Sequence, residues 1–281
     1  GKAVHDAGTD RRGVLADAVD TLRYADRKRT DFSPKAALTW DLAQGWELRL
    51  AWGKAVRYPT VSELFQGSIS NGAIVNNNPA LAPEIDRSTD LTLTRHTDNG
   101  HWRVSLYQDL IADSLYTQTD ITVSPSVTSV QNIDRMRGRG IEGAFDFHDV
   151  WLDGLDLSAS LAFNDARTLR DRQYPLAEGK VFPRIPKLRA SVFADYRFAP
   201  QWDASLGIRH SGRQYGSLDN SDHLDSYGAV SRFTIADAKL RWKFAPQWTA
   251  ALGVDNIGNT HYWVYHPYAG RTWFGELRWE L

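Results

Sequence analysis

The pentapeptide FAPQW occurs twice, at 198–202 and 244–248, followed by DASLGIRHSG after the first copy and TAALGVDNIG after the second. The copies lie 46 residues apart (244 minus 198). A period of that size suits a propeller blade or a succession of long hairpins, so the tails have to choose between them. After the second copy, Trp248, Ala250, Leu252 and Val254 alternate with Thr249, Ala251, Gly253 and Asp255. After the first, Trp202, Ala204, Leu206 and Ile208 alternate with Asp203, Ser205, Gly207 and Arg209. Period-two alternation marks a strand with one apolar face, and here a Pro-containing turn precedes each strand.

The same pattern recurs along the chain. It predicts eleven strands, at 33–41, 46–56, 88–97, 101–112, 130–147, 154–164, 185–197, 201–211, 232–244, 247–257 and 270–281. Most run to ten residues or more, whereas soluble sheets average about five or six. Crossing a bilayer at a tilt takes about 9–11 residues. Short connections (LAQG at 42–45, TDNG at 97–100, HDVWLDG at 148–154, and APQ at 199–201 and 245–247) alternate strictly with long ones at 57–87, 113–129, 165–184, 212–231 and 258–269. A propeller has no reason to sort its loops in this way. A membrane barrel does, with short turns on one side and long loops on the other. Of the 11 tryptophans, Trp40, Trp46, Trp102, Trp151, Trp202, Trp242, Trp248 and Trp279 fall at the short-turn ends. Amphipathic rings collect there, at a lipid–water boundary. The predicted fold is therefore all-β, a transmembrane antiparallel barrel wall.

Bulk composition agrees. The formal net charge is -1, so no global field draws the chain to nucleic acid. Arg135, Arg137 and Arg139 in RMRGRG are too few to reverse that. There is no Cys, which removes disulfides and thiolate chemistry. Mean hydropathy is -0.45, and no apolar run approaches the roughly 20 residues of a spanning helix. No nucleophile elbow, P-loop, HExxH or dinucleotide fingerprint is present. The expectation is no catalytic residue, no cofactor and no metal site: His261 and His266 bracket HYWVYHPY at a spacing that fits no standard metal centre.

Four stretches resemble the C-terminal half of TonB-dependent outer-membrane receptors. SPKAALTWDLAQGWELRLAWGKAVRYPTVSELF is similar to a family hairpin that ends in a signature carried here by Arg57, Pro59, Thr60, Glu63, Leu64 and Phe65. NPALAPEIDRSTDLTL resembles a second segment through Asn78, Pro79, Leu81, Pro83 and Glu84, and QNIDRMRGRGIEGAFDF a third through Gly140, Ile141 and Glu142. GVDNIGNTHYWVYHPYAGRTWFGELRWEL resembles the closing strand pair through Asn256, Tyr262, Gly270 and Arg271, with Ala269 where the family has Pro.

The resemblance implies a barrel of about 22 strands around an N-terminal plug. Residues 33–281 would then supply the C-terminal half of the barrel and 1–32 an extracellular loop or partial strand. The odd count of eleven agrees with a partial barrel. By resemblance the function is import of a scarce nutrient across the bacterial outer membrane, with a ferric siderophore first, then haem or cobalamin. The implied partners are outer-membrane lipid, an iron chelate, and a TonB complex acting through an upstream plug and TonB box outside this chain. Ligand contacts are expected from the long loops, at Phe65, Asn76, Asn77, Tyr174, Arg213, Tyr215, Tyr227, Trp263, Tyr265, His266, Tyr268 and Arg271, because aromatic and Arg side chains anchor binding surfaces. Two other readings are weighed. One is a complete barrel of about twelve strands acting as a porin, or as a protease built on His210, Asp219, Asp222 and His223. The other is a soluble propeller binder.

Overall fold

The computed structural model describes residues 9–11, 21–24, 26–70, 73–120, 123–222 and 225–280. Eleven strands follow one another in a single meander: β1 (Lys35–Ala43), β2 (Trp46–Arg57), β3 (Glu84–Thr97), β4 (Gly100–Asp120), β5 (Ser126–Phe147), β6 (Leu155–Asn164), β7 (Leu188–Ala199), β8 (Trp202–Ser211), β9 (Phe233–Ala245), β10 (Trp248–Asp255) and β11 (Thr272–Trp279). Each pairs antiparallel with its sequence neighbour. A propeller would break the sheet into blades, so that reading is overturned. With eleven strands alternating in direction, β1 and β11 run the same way and cannot pair antiparallel with each other. The result is a partial barrel, not closed.

Most of 1–32, expected as a loop or partial strand, lies outside the described residues. Within it, Thr9–Arg11 pairs with Thr21–Arg23. His223 and Leu281 are outside them too.

FAPQW is a two-residue turn with anchors on both sides. Ala199 pairs with Trp202 across Pro200-Gln201, and Ala245 with Trp248 across Pro246-Gln247, each beside a register shift. Proline presets φ for the first turn position, and the shift keeps the flanking rings on one face. The rings of the two copies join into one run. Phe198 lies 6.3 Å from Trp202, Trp202 stacks on Trp242 at 5.2 Å, and Phe244 and Trp279 each lie 6.4 Å from Trp248. Trp46 and Trp102, 5.4 Å apart edge to face, continue the girdle on the other hairpins. Trp151 departs from it: its turn holds it at φ 62 and 88% exposed.

The wall has no interior of its own. Leu38, Leu50, Leu91, Leu106, Ile141, Leu161, Leu206 and Leu252 are all exposed on its outer face, a pattern that only an apolar solvent makes favourable. The inner face carries ion pairs: Arg197 and Arg241 both on Asp203, Lys239 on Glu276, and Arg209 on Asp237. It also carries glycines roofed by the aromatic ring directly opposite, namely Phe193 over Gly207, Phe274 over Gly253 and Tyr107 over Gly140. A Cβ on Gly253 would lie 2.1 Å from the Phe274 ring, so the missing side chain makes room for the ring.

The expected loop at 113–129 is corrected by the structure. β4 runs on to Asp120 and β5 starts at Ser126, keeping register from Ser114↔Ile133 to Asp120↔Val127. The extension was hidden because it is buried on both faces. Leu115 and Tyr116 are adjacent, one packed on each side, so the apolar-polar alternation that flags a half-exposed strand is lost. Two clusters of buried side chains flank this hairpin. Leu64, Phe65, Leu81 and Val130 pack on one face, and Tyr116, Ile133, Ala177 and Leu218 on the other.

Candidate ligand site

The long connections form a cap fastened to the projecting β4–β5 hairpin, and the residues of the recognised motifs act as its fasteners. Helix α1 (Val61–Phe65) starts at Thr60, whose Oγ1 accepts from Glu63 N at 3.2 Å while Glu63 Oε2 accepts from Thr60 N at 2.7 Å, a capping box. Arg57 Nη2 donates to Glu63 Oε1 at 2.8 Å. Burial alone would raise the Glu63 carboxyl, but the Thr60 backbone donor and the Arg57 guanidinium lower it below its ordinary value. Leu64 and Phe65 are thereby driven into the cap core.

In the second motif Asn78 Oδ1 accepts from Ala80 N at 3.0 Å, Leu81 is 1% exposed, and Glu84 Oε2 accepts from Leu115 N at 2.8 Å. Asn132 joins this segment to the hairpin, accepting from Ala82 N at 2.8 Å and donating to Ala82 O at 3.0 Å and Asp113 O at 2.7 Å. In the last motif Asn256, at φ 53, grips Thr260 through both side-chain atoms at 2.9 Å.

Three loops converge on the other side of the hairpin. The strands Trp263–Val264 and His266–Pro267 make a small hairpin whose turn is Tyr265, at φ 64. It is zipped to residues 228–231: Gly228 N donates to Tyr265 O at 2.8 Å, Tyr265 N to Ala229 O at 3.0 Å, and Trp263 N to Ser231 Oγ at 3.0 Å. This brings Tyr227 within 4.7 Å of His266 and 6.4 Å of Trp263. The Arg184 guanidinium lies over the Tyr265 ring at 5.1 Å, within cation–π range, and Arg184 N donates to Tyr215 O at 2.8 Å. Tyr227 is 68% exposed, so this cluster presents faces to solvent.

The twelve expected loop residues thus fall into groups. Tyr215, Tyr227, Trp263, Tyr265 and His266 come together. Tyr174 donates to Asp219 Oδ2 at 2.9 Å on the neighbouring loop. Burial alone would raise the Asp219 carboxyl, but donors on Ser221, Ser217 and Tyr174 hold it at about 2. Phe65 is buried against Tyr24 at 4.8 Å, and Asn77 Nδ2 donates to Leu64 O at 2.9 Å, so both serve packing in the cap. Asn76, opposite Ser129, and Arg213 are exposed. Tyr268 stacks on Tyr262 at 5.0 Å, and Arg271 Nε donates to Ile257 O at 2.9 Å, near β10 and β11. Arg184 was missed. Its signal in the sequence is the Pro183 and Pro186 bracket, which fixes a turn and leaves Arg184 at φ 64.

The protease grouping does not assemble among the described residues. Asp219 and Asp222 are occupied by loop donors, Asp222 Oδ1 accepting from Ser217 Oγ at 2.7 Å, while His210 Nδ1 meets Thr234 Oγ1 at 2.8 Å.

Among curated proteins, none matches the sequence. The fold is similar to the copper transporter OprC, with a TM-score of 0.69 at 19% identity over 93% of this chain and 43% of that one. It is similar to the siderophore receptor PiuA of Acinetobacter baumannii, with a TM-score of 0.68 at 16% identity over 93% and 36%. It also resembles the ferric enterobactin receptor of Pseudomonas aeruginosa, with a TM-score of 0.64 at 15% identity over 90% and 40%. The chain therefore spans less than half the length of each. The family model described as TonB dependent receptor-like, beta-barrel, matches residues 5–257. That match covers most of the meander and its cap, and the chain belongs to the family of TonB-dependent receptor β-barrels.

Proposed function

We propose that this chain supplies wall and loops to a bacterial outer-membrane receptor that imports a ferric siderophore, with haem and cobalamin next. The convergence of Arg184, Tyr215, Tyr227, Trp263, Tyr265 and His266 from three loops carries this reading. Flat rings beside a guanidinium suit an anionic, partly aromatic chelate, since both act as binding anchors. The named siderophore receptors among the similar folds support the cargo class. In this orientation the tryptophan girdle lies at the periplasmic side and the cap outside. Energy comes from a TonB complex acting on a plug beyond this chain, and no covalent chemistry is involved.

The test is uptake of iron-labelled siderophores, haem and cobalamin by cells whose only route is the whole protein. Uptake of one of them should require TonB. The Tyr227→Ala/Trp263→Ala variant should weaken binding of that cargo on the order of tenfold or more. Passage of small solutes that continues without TonB would replace this reading with a porin.

A further inference from the structure

The RMRGRG stretch has no role in the cap cluster, and its register shows where it points. Along the outer face one rung reads Leu50, Leu91, Leu106, Ile141 and Phe163, five exposed apolar side chains directly opposite one another on β2 to β6. Two rungs farther toward the cap the same face reads Lys54, Arg87, Leu110, Arg137 and Arg167. Arg139 lies on the rung between them, opposite Gln108. From β2 to β6 the outer wall thus steps from apolar to basic over four residues of each strand, with Leu110 of β4 the one apolar member of the upper rung.

Like charges directly opposite on a sheet repel, yet Lys54 faces Arg87 and Arg137 faces Arg167. A single carboxylate, Asp165, is shared by three guanidinia: Arg167 at 2.6 Å, Arg139 at 3.1 Å and Arg137 at 3.6 Å. The Nε of Arg137 is buried without an acceptor among the described residues. Arg139, Asp165, Arg167 and Lys187 line a recess whose lower wall is Leu106, Ile141 and Phe163. The recess is amphipathic, with cationic donors above and hydrocarbon contact below.

We propose that this step is a docking site for a phosphorylated lipid of the outer leaflet. Its phosphate would sit among Arg137, Arg139 and Arg167, and its acyl chain would lie along Leu106, Ile141 and Phe163. Guanidinium forks match phosphate oxygens two at a time, and basic side chains at a bilayer surface attract anionic headgroups. The apolar rung directly below selects a lipid over a free anion. The site rests on the outer-membrane reading above, because the outer face must meet lipid.

The experiment is native mass spectrometry of the whole protein in mild detergent, titrated with dioctanoyl phosphatidic acid, dioctanoylglycerol and inorganic phosphate. Phosphatidic acid should bind and the other two should not compete with it. The Arg137→Gln/Arg139→Gln/Arg167→Gln variant should bind it on the order of one hundredfold more weakly, about fivefold per arginine removed. A second variant, Lys54→Gln/Arg87→Gln, leaves the Asp165 pairs intact and should lose about 25-fold. Unchanged affinity in either folded variant, equal binding of dioctanoylglycerol, or displacement by equimolar inorganic phosphate overturns the site. Siderophore uptake, followed in the same variants, reports separately on the receptor reading.

Discussion

The wall and the cap are built from the same hairpins and held by opposite means. In the wall, Leu106 is 51% and Leu252 57% exposed, and cohesion comes from an unbroken hydrogen-bond ladder, the girdle of rings and inner-face ion pairs. In the cap, Ile133 is wholly buried and Leu81 nearly so, and cohesion comes from two small hydrophobic cores pressed on the two faces of the β4–β5 extension. The wall relies on an apolar environment outside the protein, whereas the cap encloses its own. Burial within the protein therefore stabilises chiefly the cap, even though the cap is the part made of loops.

This contrast can be broken most directly by removing side chains of equal kind from the two regions. Ile133→Ala should destabilise the cap by about 2–5 kcal/mol, as core truncations do. Leu252→Ala leaves no cavity in the protein and should lose only the transfer term to lipid or detergent, about 1–2 kcal/mol. Denaturation in detergent, read by hydrogen exchange in each region, measures both, and equal costs would remove the distinction. A smaller effect sharpens the picture on one face of the hairpin. Thr60→Ala deletes the cap of helix α1 and should cost about 1 kcal/mol, exposing residues 61–65 to exchange while residues 167–180 stay protected.

The smallest effect concerns pH. Asp219 is held at about 2, below its ordinary unfolded value of about 3.9. A depressed carboxyl contributes stability above the unfolded value and loses it as pH falls through the folded one. Protection against exchange in residues 212–222, taken relative to the intrinsic rate at each pH, should therefore hold at about pH 5 and fall toward about pH 2, while Asp219→Asn should show little change over that window.

The wall was legible because lipid on one face and water on the other impose strict alternation. β8 and β10 could be read residue by residue from the tails of FAPQW. The extension of β4 and β5 was not legible, since burial on both faces erases the alternation at Leu115 and Tyr116. The resemblance motifs were legible as motifs but silent about their job. Only the structure shows that Thr60, Glu63, Asn78, Glu84 and Asn256 fasten loops. Of the candidate site, the aromatic members were found by composition. Phe65 and Asn77 looked the same in sequence yet are engaged in the cap, and Arg184 carried no pattern beyond its prolines.

By itself, then, the sequence determined the strands, their alternation of short and long connections, the girdle and the family likeness. All of these are written in local periodicity, because each residue's solvent follows from its parity on the strand. Tertiary structure decided which loop residues meet. It placed Arg184 on Tyr265, Tyr227 beside Trp263 and His266, and Lys54, Arg87, Arg137 and Arg167 in a single rung. Such partners sit on different hairpins, and their adjacency is fixed by register between strands far apart in the chain, which no local pattern encodes.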